Sequence, residues 1–198
     1  GCAAVREVDG RYDVLINASG VEDPRLPHAV TGAIFVDISA TASYLAAIAE
    51  ASGDHGVVLG AGIAPGLSTI LVNALDPTPE SEIDVAVMLG GGEIHGPAAV
   101  AWTANLAGRP LFQPGETHEV LNFRESLRIL EPGGARRYVR ADFPDQFLVG
   151  RPTGALVRSW LATDSRLSTA ALRVVGRFPA LSPLVARAPH LGGTGWNI

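Results

Sequence analysis

The chain has 198 residues, of which 47% are hydrophobic, and its formal net charge is −5. This length and composition predict a globular protein with a well-filled core, in one large domain or two small ones. All fifteen basic residues are arginines and they are scattered, which argues against a nucleic-acid-binding protein. Because lysine is absent, a Schiff-base lysine within this chain is excluded.

Cys2 is the single cysteine, so neither an internal disulfide nor a multi-cysteine metal site is expected. No apolar run approaches the ~20 residues of a membrane span, and no signal peptide is visible, which favours a cytoplasmic protein. Motifs of the HExxH, CxxC and GxSxG types are also absent, so no metal site is predicted. The chain starts at Gly1 rather than at methionine, and we expect further sequence upstream.

The first third predicts strands at residues 13–20, 33–39 and 57–59, with a short helix near 28–32 before the second strand and a longer one at 42–51 after it. The third strand, buried on both faces, enters a glycine-rich turn and then a helix from Leu67. Leu67, Ile70, Leu71, Ala74 and Leu75 follow a helical spacing, so this face is expected to meet the core. The alternation predicts part of a doubly wound parallel sheet.

The glycine-rich turn carries Gly60, Gly62, Pro65 and Gly66, with Asp84 about twenty residues further on, as in dinucleotide-binding fingerprints. Proline replaces the third glycine and the spacing to Gly66 is one residue too long. We therefore interpret the segment as a tight strand-to-helix turn that can still border a ligand.

Small and polar residues end the first two strands. Ala18, Ser19 and Gly20 let a flat ligand approach the backbone, or they make local turn bonds only. Asp37 is either a site residue or a helix cap. Because Ser39 or Thr41 also fits the cap, Asp37 stays free for a catalytic role.

From residue 77 the pattern changes to that of an α+β unit with a mixed or antiparallel sheet. An alternating strand at 82–89 precedes a loop and a helix from Pro97. Further strands are predicted at 117–123, 127–131, 136–141 and 156–162. A helix capped by Asp164 or Ser165 follows, with the apolar residues Leu167, Ala171, Val174, Val175 and Phe178. The start of a last strand is predicted at 192–198.

His95 lies in the glycine-rich loop beside Glu93, just before the helix that begins at Pro97. This position favours either proton transfer in a site or a solvated, capping histidine. No Gly-Lys-Ser/Thr follows the three glycines of the loop, so a phosphate-binding loop is not predicted.

Three stretches together, DVLINASG at 13–20, VDIS at 36–39 and GAGIAPGLS at 60–68, resemble the later Rossmann strands of saccharopine dehydrogenase-like oxidoreductases. The following unit is similar to that family's second domain, and GTGW at 193–196 is similar to its return strand. The resemblance implies a dinucleotide bordered by Ala18, Ser19 and Gly20, with Asp37 and Ser39 near the nicotinamide and Ala61 and Gly62 closing the crevice. The family's opening Gly-x-Gly-x-x-Gly unit is not in this sequence.

The domains expected are a partial Rossmann-like unit at 1–76, a substrate or dimerisation unit at 77–190 and a return segment at 191–198. The resemblance implies an NAD(P)-dependent oxidoreductase with NAD or NADP as its cofactor. Hydride would move to or from a small substrate bound between the units, and Asp37 or His95 is the expected proton-transfer residue. The alternative is a catalytically silent module that pairs through residues 82–162 with a copy of itself or with another subunit. A homodimer is expected under either hypothesis.

Overall fold

The computed structural model describes residues 12–29, 32, 34–90, 97–185, 196 and 197. It has an α/β fold in which a parallel sheet is followed by a mixed sheet, which confirms the predicted fold class. In the described part of the chain, no helix is long and apolar enough to span a membrane.

The parallel sheet contains strands β1 (Val14–Asn17), β2 (Ile34–Asp37) and β3 (Val57–Leu59), in that spatial order. Between the first two strands, the described residues form a 3-10 turn, Leu26–Ala29, slightly before the predicted short helix. In the ladder Asn17 pairs with Asp37, and Asp37 pairs with Leu59. The carboxyl ends of all three strands therefore share one edge.

Helix α1 (Ala42–Ala51) covers one face of this sheet, because Tyr44, Leu45 and Ile48 pack with Phe35. The opposite face carries Val14, Ile16, Ile34 and Val58, which are 48–61% exposed. The prediction that β3 is buried on both faces is therefore wrong, since the described residues place a helix on one side only.

Helix α2 (Leu67–Asn73) shows the opposite orientation from the predicted one. Ser68 and Val72 are buried, whereas Ile70 is 66% exposed and Leu75, just after the helix, 67%. The hydroxyl group of Ser68 donates a hydrogen bond to the buried Asp145, which holds the polar side of the helix inward. The spacing of the apolar residues in the sequence identified an apolar face of α2, but it did not show which face of the helix is buried.

The mixed sheet has the spatial order β5-β6-β7-β4-β8. Its strands are β4 (Glu82–Leu89), β5 (Ser126–Glu131), β6 (Gly134–Arg140), β7 (Leu156–Thr163) and β8 (Trp196–Asn197). Strands β4 and β7 are parallel, and the other neighbours are antiparallel. The predicted strands at 82–89, 127–131, 136–141 and 156–162 are thus confirmed within two residues at each end.

Two predictions on this unit differ from the structure. Residues 117–123 form a loop with one bridge between Pro110 and Leu121, although Val120 and Phe123 are buried there. Trp196 and Asn197 pair with β4 of the mixed sheet, whereas the sequence predicts a return of residues 191–198 toward the first unit. The rest of that segment lies outside the described residues.

Helices α3 (Pro97–Leu106), α4 (Arg151–Thr153), α5 (Arg166–Arg177) and α6 (Ser182–Val185) complete the second unit. Ser165 caps α5, as predicted, by accepting a hydrogen bond from the Ser168 backbone. Of the apolar residues predicted on this helix, Val175 is buried, but Leu167, Val174 and Phe178 are exposed. The buried face is instead formed by Thr169, Leu172, Val175 and Gly176.

The cores of the two units meet at a π-helical segment, Gln146–Gly150. Val149 belongs to the core under the mixed sheet, which Val72 of α2 also joins. Phe147 packs against the core of the parallel sheet, and Leu148 packs against both cores. This segment therefore fixes the carboxyl edge of the parallel sheet next to the second unit.

Candidate functional site

The carboxyl edge of the parallel sheet is organised around Asp37, which is fully buried. One carboxylate oxygen accepts a hydrogen bond from the Ser39 backbone at 2.7 Å. The other accepts from Nδ2 of Asn17 at 2.7 Å and from the Tyr44 hydroxyl at 3.1 Å. Burial, and then the charge of Asp37, raises the pKa of Tyr44, so its hydroxyl stays a donor.

These contacts correct the interpretation that Asp37 is left free. The N-cap position of α1 is Thr41, as the sequence allowed, but its hydroxyl donates to Glu22 at 2.6 Å instead of capping the helix. Asp37 links the end of β1, the end of β2 and helix α1 through these hydrogen bonds. A carboxylate that accepts from three donors is best suited to position its neighbours. Its catalytic role stays a prediction.

Residues 18–20, which follow β1, form a turn held by its own polar groups. Oδ1 of Asn17 accepts hydrogen bonds from the backbone and the hydroxyl of Ser19, at 3.3 and 2.7 Å. The Ser19 hydroxyl oxygen accepts a bond from the Val21 backbone at 3.1 Å, and Gly20 adopts a φ of 77°. The turn therefore presents a rigid backbone at Gly20.

Ala61 and Gly62 lie on the same edge, after β3. The Ala61 backbone donates to the Asp37 carbonyl at 2.9 Å, and Gly62 bridges to Gly66 across the turn. A Cβ atom on Gly66 would lie 2.0 Å from the Gly62 carbonyl oxygen. The glycines of this turn thus serve a close backbone crossing, as expected for a tight strand-to-helix turn.

A cleft of about 620 Å³ opens between the two units at this edge. On the first unit it is lined by Gly20, Glu22, Thr41 and Ser43. On the second unit its wall is built by α3, by the segment 109–112 and by Asp142. Among the predicted cofactor residues, Gly20 lines this cleft. The others end or follow strands at the same edge without lining the cleft: Ala18, Ser19, Asp37, Ser39, Ala61 and Gly62.

Asp142 is the titratable group of the cleft that its surroundings change most. Burial raises its pKa from 3.8 to about 6, although the Phe112 backbone N–H, which donates at 3.1 Å, and the charge of Arg140 lower it. A carboxyl group with this pKa exchanges protons near neutral pH. Its position two residues after the end of β6 is the one feature of the sequence that points to Asp142.

Trp102 and Arg109 line the cleft together with Asp142. Nε1 of Trp102 is buried and has no hydrogen-bond partner among the described residues. Trp102 also contacts Phe143, with 5.3 Å between the ring centroids. Arg109 is exposed on the cleft wall and makes no ion pair with any residue that the structure describes. The cleft therefore combines a cation, an aromatic ring and a carboxyl group.

Asp145 forms a second buried cluster that sequence reasoning missed. It accepts hydrogen bonds from the hydroxyls of Ser68 at 2.8 Å, Thr69 at 3.2 Å and Ser159 at 3.1 Å. Burial raises the pKa of this carboxyl group. Because Ser68 and Thr69 belong to α2 and Ser159 to β7, Asp145 joins the two units.

His95, the other predicted proton-transfer residue, lies outside the described residues. In the part of the chain that the structure describes, no group of three acidic, histidine or cysteine side chains is arranged to hold a metal ion. In comparisons with known proteins, no family model and no curated protein matches the chain.

Proposed function

We propose that the chain is part of an NAD(P)-dependent oxidoreductase of the saccharopine dehydrogenase-like type, which acts on a small substrate in the cleft. The observation that supports this proposal is the position of the cleft, at the carboxyl edge of a parallel sheet and against a second unit. Ligands of open α/β sheets bind at this edge. The volume of about 620 Å³ lies within the ~300–1,000 Å³ typical of small-molecule sites.

The residues of the cleft fit the nicotinamide end of NAD or NADP. Gly20 lines the cleft without a side chain, and Thr41 and Ser43 add hydroxyl groups. Trp102 also lines the cleft and adds an aromatic ring to it. When bound, the cofactor supplies the hydride chemistry, in which a hydride moves between its ring and a substrate carbon while one proton leaves or joins the substrate.

This chain's own residues then take three roles. Asp142 exchanges the proton, because it faces the cleft and its pKa is raised to about 6. Arg109 orients the substrate through its guanidinium group, which makes no ion pair with the described residues. Asp37 positions the turn at Gly20 and helix α1 through its three hydrogen bonds.

Calorimetric titration with NAD and NADP, in both redox states, tests the proposal on this chain and on a version extended upstream. Ser43→Trp fills the cleft from an exposed position of α1, and Ala49→Trp is the matched control at an exposed position outside the cleft. We expect Ser43→Trp alone to weaken binding by more than about tenfold. If neither version binds any of the four dinucleotides, the proposal is refuted.

One observation favours the alternative function, a module that pairs with a second copy, although through the first unit and not through the predicted residues 82–162. The bare face of the parallel sheet exposes Val14, Ile16, Ile34 and Val58 side by side. Exposed apolar patches of this kind mark interaction surfaces. Light scattering distinguishes the two functions. A chain that binds no dinucleotide and forms a dimer that Ile16→Ser dissociates supports the module.

A further inference from the structure

A groove of about 180 Å³ lies between the β5–β6 hairpin and helix α5 and shares no lining residue with the cleft. Its charged lining consists of Arg128, Arg136, Arg137, Arg166 and Arg173. One third of the fifteen arginines thus line a single groove of a chain whose net charge is −5. We call it the arginine groove.

Most of this positive charge is not neutralised by the protein. Arg136 pairs with Glu131 at 3.0 Å, but the other four arginines make no ion pair within the described residues. Arg128 also lies directly opposite Arg137 in the strand ladder, an arrangement that destabilises a sheet. An anionic ligand in the groove would relieve this repulsion.

An apolar stripe runs along α5 beside the groove. It is formed by Leu167, Val174 and Phe178, which are 50–80% exposed. Their spacing of i, i+7 and i+11 places them on one side of the helix, next to a row formed by Arg166, Arg173 and Arg177. Because the buried face of α5 packs on the mixed sheet, the stripe and the arginine row both point outward.

The hairpin adds a further exposed apolar residue to the same surface. Leu130 is 85% exposed, and it pairs in the ladder with Ala135, which lines the groove. The arginine groove is therefore bordered by apolar side chains on both of its walls. This combination of exposed leucine and phenylalanine with arginine is typical of segments that lie in a membrane interface.

We propose that this surface, formed by α5 and the β5–β6 hairpin, binds the face of an anionic phospholipid membrane. The unpaired arginines bind lipid phosphates, since a guanidinium group pairs with two phosphate oxygens at once. Leu130, Leu167, Val174 and Phe178 enter the boundary between headgroups and acyl chains. The protein lies on the membrane by this surface and does not cross it.

Two other occupants fit the surface less well. Nucleic acid would leave the apolar stripe in water, and the groove has no aromatic lining residue on which a base could stack. A second copy, related by a two-fold axis through this surface, would bring one arginine groove against another. Both arrangements leave either the apolar or the charged component uncompensated.

Flotation with lipid vesicles tests the proposal. We expect the full chain to bind vesicles that contain phosphatidylglycerol but not vesicles of phosphatidylcholine alone, with binding that weakens as salt is added. Arg166→Gln combined with Arg173→Gln should weaken binding about 25-fold, from about fivefold for each arginine near an anionic surface. Leu167→Ser should weaken it about tenfold, since one apolar side chain no longer leaves water.

The controls are Arg151→Gln and Leu75→Ser, which change exposed residues outside this surface and should bind like the unchanged chain. All variants concern exposed side chains, and circular dichroism verifies their folding. Failure to bind phosphatidylglycerol vesicles, equal binding to both vesicle types or unchanged binding of the groove variants would overturn the proposal. If the chain does not bind vesicles but binds DNA, or forms a dimer that Leu167→Ser dissociates, the proposal is also overturned.

Discussion

Replacing Asp142 with asparagine should remove a specific pH dependence of stability. Burial raises the pKa of this carboxyl group from 3.8 to about 6, so the folded state binds its proton more tightly than the unfolded state does. Stability contributed by protonated Asp142 is fully present below the unfolded pKa and is lost as the pH rises through about 6. At about 1.4 kcal/mol per pKa unit, the full loss is about 3 kcal/mol.

The assay is urea unfolding of both proteins between about pH 4 and about pH 7.5. Asparagine keeps an oxygen that accepts from the Phe112 backbone, so the fold should persist. The free energy of unfolding of Asp142→Asn minus that of the unchanged chain should rise by about 2–3 kcal/mol over this range. Other titrating groups cancel in this difference. A difference that stays constant with pH would refute the assignment of a raised pKa to Asp142.

Tyr44→Phe removes the hydroxyl that donates to the buried Asp37, and the free energy of unfolding should fall by about 2 kcal/mol; an unchanged value would contradict the proposed positioning role of Asp37. Gly66→Ala should lower the free energy of unfolding, measured by thermal melts, by about 3 kcal/mol or more, because φ is 129° and the new Cβ would meet the Gly62 carbonyl. The control Gly133→Ala places its Cβ in open space and should change the stability little. Val72→Ala should lower the free energy of unfolding by about 2 kcal/mol, because Val72 is buried, and exposed Ile70→Ala should lower it by less than about 0.5 kcal/mol. The reverse order would show that α2 turns its other face inward.

The positions of most strands and helices could be predicted because their signals are local. Alternating residues in β4 and the serine cap of α5 each act within a few residues of the chain. The orientation of α2 could not be predicted in this way. Its apolar spacing is real, but the face that turns inward is chosen by Ser68, whose partner Asp145 lies 77 residues away.

The candidate site was predicted only in part for a similar reason. The sequence located the carboxyl edge with Asp37 and Gly20, since small and polar residues end the strands there. Asp142 was missed because no motif surrounds it, and its raised pKa arises from burial by segments distant in sequence. The π-helical segment Gln146–Gly150 is too short for its apolar residues to show a period.

The shared position of Leu148 has a consequence for how the protein unfolds. Since this side chain packs against both cores and Asp145 bonds to both units, neither core can open without exposing part of the other. We therefore expect the division of the chain near residue 76 to separate two sequence patterns but not two cooperative units. We expect a single transition in calorimetry, and backbone amides of Val57–Leu59 and Leu156–Thr163 that exchange with solvent through the same global opening.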